Sequence, residues 1–384
     1  MSFEHFRYLV AGAGFFGATI AERIAADMGE PVALVEKRAH IGGNCYTETD
    51  RETGIEFHKY GSHIFHTSSE AVWRYISRFS PFNDYQHKVL TEHKGRVYQM
   101  PINLSTINAF YEANFKPSEA RAFLCSEIEK EGSPTPSNFE EVAISSVGRP
   151  LYEALIRGYS IKQWGVDPRE LPSDIMARLP VSYSYHSNYF NDPWQGLPLC
   201  GYTGVFEKML AHPNISLHLN TDFFEVRHLL GDDCLIVYTG PLDRFFNYRH
   251  GRLAWRTSLF EREILEEGDY QGTAVMNYAD SAVPFTRIHE FRHLHRERAY
   301  GEKKTLIFRE YSKSLEGDDE PYYPVNRSED RETYERYMQD SRGLRNVIFG
   351  GRLGTYRYLN MDRVIEAALK VYEEKIKVPL PPSP

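Results

Sequence analysis

A glycine-rich segment at residues 12–17 constrains the fold of this chain more than any other feature of its sequence. It follows an apolar run over residues 6–11 that predicts a buried strand, and a helical pattern of apolar residues continues from it to Met28. A second apolar run, Val32–Val35, ends at the acidic Glu36. This order of strand, glycines, helix, strand and acidic residue predicts a Rossmann-like unit that binds a dinucleotide.

Each glycine of that segment has its own role in such a unit. Gly12 allows a tight turn, Gly14 lets the backbone approach a diphosphate, and Gly17 lets the helix pack on the strand. The start of the helix offers free N–H groups and a partial positive charge to the diphosphate. Glu36 can accept hydrogen bonds from the ribose hydroxyls of an adenosine.

The residues that follow favour FAD over NAD. They read Glu36-Lys37-Arg38-Ala-His-Ile-Gly-Gly43-Asn44, an acidic strand end followed by basic residues and a Gly-Gly pair. This pattern resembles the amine-oxidase-like FAD family, in which the Gly-Gly loop lies against the cofactor. The residues alone therefore predict an FAD-binding enzyme that acts on an anionic compound.

The overall charge argues against nucleic acid as a partner. The formal net charge is −8 and no run of Lys or Arg stands out, whereas nucleic-acid binding rests on a basic surface. No apolar run approaches the ~20 residues of a membrane span. The four cysteines form no Cys-x-x-Cys pair that would indicate zinc or a disulfide framework. We therefore expect a cytoplasmic protein with no membrane span.

Other parts of the chain predict two further domains interleaved with the Rossmann-like unit. Residues 103–165 read as mostly helical, and alternating segments between residues 215 and 311 predict an antiparallel sheet. A strand over 346–349, two glycines and a helix from about Asn360 form a second strand–glycine–helix junction. The expected fold class is α/β, a Rossmann-like FAD-binding domain with an inserted helical domain and an antiparallel sheet domain.

The changes of pattern also predict the domain boundaries. We assign to the FAD-binding domain residues 1–80, 198–245 and 330–384, to the helical domain residues 98–175, and to the sheet domain residues 81–97, 176–197 and 246–329. The substrate is expected in the cleft between these domains.

Longer motifs narrow the choice of family. In chain order they are Tyr60-Gly-Ser-His63-Ile64-Phe-His66-Thr, Gly158-Tyr159-Ser-Ile-Lys-Gln-Trp164-Gly, Arg178-Leu-Pro, Asn188-Tyr189-Phe-Asn191-Asp, Gln195-Gly, Gly201-Tyr-Thr, Pro321-Tyr322-Tyr323-Pro and Gly351-Arg352-Leu-Gly-Thr-Tyr356-Arg-Tyr358. Together they resemble the UDP-galactopyranose mutases of the bacterial type over nearly the whole chain. Several long matches in one order are more specific than any single short motif.

The resemblance implies an isomerase that interconverts UDP-galactopyranose and UDP-galactofuranose by ring contraction. It implies FAD as the cofactor, active in its reduced form, and no metal. Flavin N5 is implied as the covalent nucleophile, with no net redox change. The product would supply galactofuranose for cell-surface polysaccharide, and a homo-oligomer, most simply a dimer, is expected.

Roles on the substrate side follow from the same resemblance. Arg178 and Arg287 are implied as the permanent cations beside the diphosphate, and Tyr159 as the ring that stacks on the uracil. His63 and His66 are implied near flavin N5, where they would help to shift protons. These two histidines and the two arginines form the expected catalytic set. The other expected substrate contacts are Trp164, Tyr189, Asn191, Arg256, Tyr323 and Tyr358.

On the cofactor side, Arg352 and the helix that begins near Asn360 are implied to stabilise the negative charge of reduced flavin. A helix N-terminus stabilises a nearby anion by about 0.3–1 kcal/mol. The other expected cofactor contacts are Gly12, Gly14, Phe16, Gly17, Glu36, Lys37, Arg38, Gly43, Asn44, His63, Ile64, Tyr358, Asn360 and Met361.

Four positions depart from the pattern of the family. Ser62 stands where many members have Pro, Trp255 replaces a frequent Tyr, Asn360 lies where Asp is common, and His87 lies where some members have Asn. We therefore expect no catalytic role for Asn360, and His87 is left without a role.

Two other functions are compatible with the FAD signal. One is an FAD-dependent oxidase of the amine-oxidase-like superfamily, which would lack the paired arginines and the tyrosine-rich diphosphate pocket. The other is a flavin- or nucleotide-binding protein without catalysis, which would bind UDP tightly but would not turn it over.

Overall fold

The strands of the fold lie in two large sheets and two short ribbons. The computed structural model describes residues 3–131, 135–173, 181–317 and 319–377. In chain order the strands are β1 (Tyr8–Ala11), β2 (Val32–Val35), β3 (Thr47–Thr49), β4 (Glu56–His58), β5 (Phe65–Thr67), β6 (Val89–His93), β7 (Arg96–Met100), β8 (Trp194–Gly196), β9 (Ile215–His218), β10 (Leu235–Tyr238), β11 (Trp255–Leu265), β12 (Val275–Tyr278), β13 (Arg287–Glu290), β14 (Thr305–Ser314), β15 (Tyr323–Pro324) and β16 (Val347–Phe349).

Helices connect these strands. They are α1 (Phe15–Arg23), α2 (Glu70–Ile76), α3 (Leu104–Phe110), α4 (Pro117–Glu129), α5 (Phe139–Val147), α6 (Arg149–Leu151), α7 (Gly158–Trp164), α8 (Gly201–Met209), α9 (Phe223–Val226), α10 (Leu242–Phe245), α11 (Ser328–Ser341), α12 (Gly351–Gly354) and α13 (Met361–Val371). π-Helical turns follow α1 and α13, and another joins α6 to α7. Within the described ranges, no helix is long and apolar enough to cross a membrane.

Five parallel strands form the first sheet, in the order β16-β10-β1-β2-β9. All residues of β1 and β2 are buried, as expected of central strands in a parallel sheet. The two predicted strands and the helix between them are confirmed. That helix and its π-helical turn end at Gly29, which has the left-handed φ of +69° that glycine adopts without strain.

The carboxyl ends of the parallel strands meet at one edge of this sheet. Gly12 follows β1, Glu36 follows β2, Thr239 follows β10 and Gly350 follows β16. The second strand–glycine–helix junction predicted from the sequence therefore lies beside the first. Ligands of open α/β sheets bind at this kind of edge.

The second sheet has the order β15-β11-β14-β13-β12-β6-β7. All its neighbouring strands are antiparallel except β12 and β6, which pair in parallel. The sheet is therefore mixed, whereas the sequence analysis predicted an antiparallel one. The physical reason is that a long part of the chain separates β6 from β12, so no hairpin fixes their relative direction.

The region from α3 to α7 is helical, as predicted. The order Ser-Asn-Phe-Glu over residues 137–140 predicts a capping box with Ser137 as the first cap of α5, but the cap is one residue later. The Asn138 side chain accepts a hydrogen bond from the Glu141 N–H at 3.0 Å, and Ser137 instead donates to the Glu141 carboxylate at 2.7 Å. Both residue types can cap a helix, so pattern alone did not separate them.

One apolar core joins the different parts of the fold. It includes Val10 of the parallel sheet, Tyr152 of the helical region and Phe308 of the second sheet, and all three side chains are buried. The cavities described below lie between these elements. The division into three domains with the boundaries given above stays a prediction.

Candidate functional site

One cavity lies at the carboxyl edge of the parallel sheet and has a volume of about 230 Å³. Its wall brings together residues that are far apart in the chain. The predicted cofactor residues that line it are Gly12, Gly14, Phe16, Gly17, Glu36, Lys37, Arg38, Gly43, Asn44, His63, Arg352 and Met361.

The glycines of this wall leave room for a dinucleotide. Gly12 has a φ of +110°, and a Cβ there would lie 2.1 Å from the Thr239 hydroxyl oxygen. A Cβ on Gly17 would lie 1.9 Å from the Gly12 carbonyl oxygen, so helix and strand are in close contact. A Cβ on Gly14 would meet nothing nearer than the Gly43 Cα at 4.0 Å. The open space at Gly14 beside the start of α1 fits a diphosphate.

Glu36 joins the two loops of this wall. One carboxylate oxygen accepts the Ala13 N–H and the other accepts the Arg38 N–H, both at 2.9 Å. Each carboxylate oxygen keeps a second lone pair that can accept a ribose hydroxyl. Glu36 is therefore held in place before a ligand arrives.

Lys37 and Arg38 share one carboxylate at the rim of the same cavity. Glu320 lies 2.7 Å from the Lys37 Nζ and 3.2 Å from the Arg38 Nη2, and the Arg38 guanidinium lies over the Tyr60 ring. The Arg38 Nη1 is buried and has no hydrogen-bond partner among the described residues. A buried unpaired N–H of this kind suits an anionic ligand.

The second cavity has a volume of about 440 Å³ and adjoins the first. His63, Arg352 and Met361 line both cavities, so the two cavities meet at these three residues. Other predicted site residues that line the second cavity are Ile64, His66, Tyr159, Tyr189, Arg287, Tyr323, Tyr358 and Asn360.

Arg287 is a half-buried cation in the wall of this second cavity. Its Nη2 donates a hydrogen bond to the Tyr159 hydroxyl, and its Nε lies 3.2 Å from the Glu310 Oε2. Burial alone would lower the pKa of Arg287, but the negative charge of Glu310 raises it. For Tyr159, burial raises the pKa to about 12, so its hydroxyl is neutral at pH 7. The site therefore presents one fixed positive charge next to a flat ring.

Glu310 ends a chain of buried hydrogen bonds. Its Oε2 accepts the Nε2–H of His289 at 2.9 Å, and the His289 Nδ1 accepts the Ser62 hydroxyl at 2.8 Å. The Ser258 hydroxyl donates to the other carboxylate oxygen at 3.1 Å. Burial opposes ionisation of Glu310, yet Arg287 and His289 lower its pKa to about 2. The Glu310 carboxylate is therefore charged. The Ser62 hydroxyl, at the position where many family members have Pro, has a defined partner in His289.

Four histidines line the second cavity, and besides His289 they are His63, His66 and His87. The His63 Nδ1–H donates to the Gly61 carbonyl at 2.8 Å, and the His66 Nδ1–H donates to Asp192 at 2.6 Å. His66 also stacks on Phe190 with ring centroids 3.6 Å apart. Burial lowers the pKa of His63 to about 4 and that of His87 to about 3, so both are neutral at pH 7.

Arg352 lies at the border of the two cavities. Its guanidinium donates to the Tyr322 carbonyl at 3.1 Å and to the Leu359 carbonyl at 2.7 Å. It also lies 4.8 Å from the Tyr358 ring and 5.5 Å from the Tyr323 ring, and these two rings stack. The helix α13 begins beside it at Met361, with Asn360 as its exposed first cap. A positive charge and a helix N-terminus therefore meet at this border.

Three predicted site residues that the structure describes do not line either cavity, namely Trp164, Asn191 and Arg256. Arg178 lies outside the described residues. Trp164 is half-buried at the end of α7, and Asn191 is exposed. Arg256 is buried and donates to the Gln163 carbonyl at 3.0 Å and to the Ser314 hydroxyl at 2.9 Å, beneath the end of α7.

Several residues that line the second cavity were not predicted from the sequence. Glu310 and His289 are the main examples, and His87 was left without a role. A signal for Glu310 exists, because Leu306 and Phe308 precede it at the period of two that faces a core. A charged residue at such a position calls for a buried partner, and Arg287 is that partner.

A sequence model described as UDP-galactopyranose mutase matches residues 154–358. A protein from Klebsiella pneumoniae named "Probable UDP-galactopyranose mutase" is 42% identical over 95% of this chain and 94% of its own length. The chain belongs to the UDP-galactopyranose mutase family. As a member of this family it is an enzyme, an isomerase, which decides against the oxidase and the non-catalytic alternatives.

Further similarities support the fold and include a relative named for a different sugar nucleotide. Residues 10–79 match a family described as an NAD(P)-binding Rossmann-like domain. A crystal structure titled as reduced UDP-galactopyranose mutase superposes with a TM-score of 0.75 at 14% identity, covering 97% of this chain and 94% of that one. An Escherichia coli protein named "dTDP-fucopyranose mutase" is 39% identical over 97% of this chain and 98% of its own length. Relatives of this chain are therefore named for sugar nucleotides that differ in both the base and the sugar.

Proposed function

We propose that this enzyme interconverts UDP-galactopyranose and UDP-galactofuranose by ring contraction, with reduced FAD as its cofactor. The observation that carries the proposal is the junction of the two cavities at His63, Arg352 and Met361. A flavin ring reaching this junction from the first cavity would face a sugar nucleotide in the second. The Klebsiella pneumoniae relative named for this activity supports the same substrate.

The residues of the first cavity fit FAD. Gly14 and the start of α1 would hold the diphosphate, and Glu36 would accept the ribose hydroxyls of the adenosine. Reduced FAD, when bound, would supply the nucleophile for the anomeric carbon of the sugar. Arg352 and the N-terminus of the 11-residue helix α13 would stabilise negative charge on the reduced flavin ring.

The diphosphate of the substrate would be bound by arginine. Arg287 carries a fixed charge in the second cavity, and the resemblance adds Arg178 as its counterpart. UDP gains charge as it leaves the sugar, so a cation fixed before the reaction stabilises the transition state more than the bound substrate. The Tyr159 ring beside Arg287 would stack on the base.

His66 would handle a proton of the sugar. Its Nδ1–H is held by Asp192, so its Nε2 carries a lone pair that can accept a proton from a sugar hydroxyl and later return it. His63 is neutral at pH 7 and is held by the Gly61 carbonyl, so it would act as a hydrogen-bond partner at the junction.

The Escherichia coli relative makes dTDP-fucopyranose a second candidate substrate. Fucose is 6-deoxygalactose, so it has a methyl group where galactose has a hydroxyl. The second cavity has polar side chains that could bond a further hydroxyl, namely His66, His87, Thr91 and Asn277. A site built to hydrogen-bond a hydroxyl rejects an analogue without it, so these side chains favour galactose.

The test is a comparison of the two furanose nucleotides as substrates of the dithionite-reduced enzyme. We expect the ratio kcat/KM to be at least about tenfold higher for UDP-galactofuranose than for dTDP-fucofuranose, because an unpaired buried polar group costs about 1–3 kcal/mol. A preference for dTDP-fucofuranose would reverse the choice of substrate. Oxygen consumption with an amine, and no conversion of either nucleotide, would reject the proposal.

A further inference from the structure

The Lys162 ammonium lies in a cage of four backbone carbonyls. Its Nζ is 2.8 Å from the carbonyl oxygens of Tyr278 and Asp280, 2.9 Å from that of Val283 and 3.0 Å from that of Phe285. An ammonium has three N–H donors, so these four acceptors share them. All four carbonyls belong to the end of β12 or to the segment that joins β12 to β13.

The two elements joined by this cage each carry a residue of the second cavity. Lys162 is three residues after Tyr159 on α7, and the caged segment leads directly into Arg287 at the start of β13. Arg287 and Tyr159 are themselves hydrogen-bonded across the junction of these elements. The relative position of the cation and the ring therefore depends on how α7 contacts this segment.

We propose that Lys162 is a positioning residue that holds Tyr159 and Arg287 at the spacing required to bind the nucleotide diphosphate. The inference rests on the proposed function, since it takes these two residues as the nucleotide site. Lys162 does not itself line the second cavity, so it acts through the helix and the segment that it joins.

Gly158 gives an independent indication of the same contact. It lies one helical turn before Lys162, and a Cβ there would be 2.3 Å from the Ala279 carbonyl oxygen and 3.2 Å from the Ser281 nitrogen. Its φ of −63° is ordinary for a helix, so the backbone does not require glycine. The close approach of α7 to the segment is what excludes a side chain.

The hydrogen bonds of the cage depend on the positive charge of Lys162. Burial lowers the pKa of Lys162 to about 8, and the charges of Asp280 and Glu92 partly oppose this. A neutral amine has two N–H donors and a lone pair that would face carbonyl oxygens, so the cage loosens as the ammonium loses its proton. The charged or titratable groups on the surrounding elements are Asp280, Glu92, His93, Lys94 and Arg256.

The test measures the affinity of the oxidised holoenzyme for UDP by calorimetry between pH 7 and 9. We expect Lys162→Met to weaken UDP binding about tenfold, because small misplacements of binding groups have effects of this order or larger. Lys162→Arg keeps the charge and should recover part of the affinity. In steady-state assays of Lys162→Met the KM should rise and kcat should also fall, because the displaced Arg287 both binds the diphosphate of the substrate and stabilises the charge that UDP gains as it leaves.

Two further variants sharpen the test. Gly158→Ala should weaken UDP binding in the same direction, because its methyl group displaces the caged segment. Lys130→Met is the matched control, since Lys130 is an exposed residue that ends the α4 region and pairs with Glu127. It should bind UDP like the wild type at every pH.

The outcomes separate this inference from the proposed function. The wild-type affinity should fall as the pH rises through about 8, and this step should be absent in Lys162→Met. Equal affinity of Lys162→Met and wild type, with the same pH dependence, would overturn the inference while leaving the proposed function intact. If Lys162→Met does not fold, two other results together would overturn the inference. These are a wild-type affinity for UDP that does not change with pH, and a Gly158→Ala variant that binds UDP as the wild type does. A wild-type enzyme that does not bind UDP would reject the proposed function and this role together.

Discussion

Glu310 lies beside Arg287 in the wall of the second cavity, with 3.2 Å between the Glu310 Oε2 and the Arg287 Nε. The carboxylate is buried and also accepts a hydrogen bond from His289, so its position is fixed by three elements of the second sheet. Arg287 is therefore oriented before any substrate binds. A preorganised cation of this kind is the main electrostatic contribution that we attribute to this chain.

Removal of the Glu310 charge should weaken substrate binding and lower stability. In Glu310→Gln the half-buried Arg287 loses its counter-ion, and we expect the free energy of unfolding to fall by about 1–3 kcal/mol. The KM for UDP-galactofuranose should rise, because Arg287 is free to turn away from the diphosphate. Urea unfolding and steady-state kinetics measure the two effects. Exposed Glu335 offers a matched control, and Glu335→Gln should change neither quantity.

Cofactor binding should be lost when Gly12 is replaced by alanine. The new Cβ would lie 2.1 Å from the Thr239 hydroxyl oxygen at a φ of +110°, so the diphosphate loop must move. We expect Gly12→Ala to purify with little bound flavin, as measured by visible absorbance per protein. Gly54→Ala is the control, because Gly54 also has a positive φ, +71°, but open space around it. Full flavin content in Gly12→Ala would contradict the assignment of this cavity.

The charge of Arg352 should affect the flavin more than the nucleotide. Arg352→Met removes a positive charge from the border of the cavities, so the anionic reduced flavin becomes less stable. A loss of about 1.4 kcal/mol corresponds to a potential about 30 mV more negative for a two-electron couple. Reduction of the bound flavin against a reference dye measures this shift. An unchanged potential would place the flavin ring away from Arg352.

Acid should destabilise the fold below about pH 6.5 through His87. Burial lowers its pKa from 6.5 to about 3, so the unfolded chain binds a proton in this range that the folded chain does not. The sign is therefore a loss of stability as pH falls, by about 1.4 kcal/mol per pH unit while only the unfolded state is protonated. His63 acts in the same direction because its pKa is lowered to about 4.

Urea unfolding at pH 7 and pH 5 tests this expectation. The difference between the two pH values should be smaller for His87→Asn than for the wild type, because asparagine does not titrate. His228→Asn, a change at an exposed histidine, should keep the wild-type difference. Identical differences in all three proteins would show that His87 binds its proton equally well in the folded and the unfolded states, which would contradict the lowered pKa.

The sequence predicted those features that depend on neighbouring residues. The spacing of Gly12, Gly14 and Gly17 and the acidic Glu36 sufficed for the first cavity, because one strand–helix–strand unit contains them all. The chain of Ser62, His289 and Glu310 could not be found in this way, since the second sheet brings these distant residues together. The parallel pairing of β6 with β12 escaped prediction for the same reason.

The roles of individual residues that the family resemblance implies were harder to predict from the sequence than the fold was. Arg256 was expected at the substrate, but its guanidinium donates to the Gln163 carbonyl beneath α7. A motif gives the position of a residue in the chain but not the direction of its side chain. Lys162 is the opposite case, because its motif was recognised while the carbonyls that it binds lie more than a hundred residues further on. The homodimer expected from the resemblance stays a prediction.

The most direct test of the account is product analysis with and without reduction of the enzyme. Purified protein with bound flavin would be incubated with UDP-galactofuranose, in one sample with dithionite and in the other without, and the nucleotides separated by chromatography. The account predicts conversion to UDP-galactopyranose in the reduced sample and little or none in the oxidised one. Equal conversion in both samples, or none in either from a protein with a full flavin content, would contradict it.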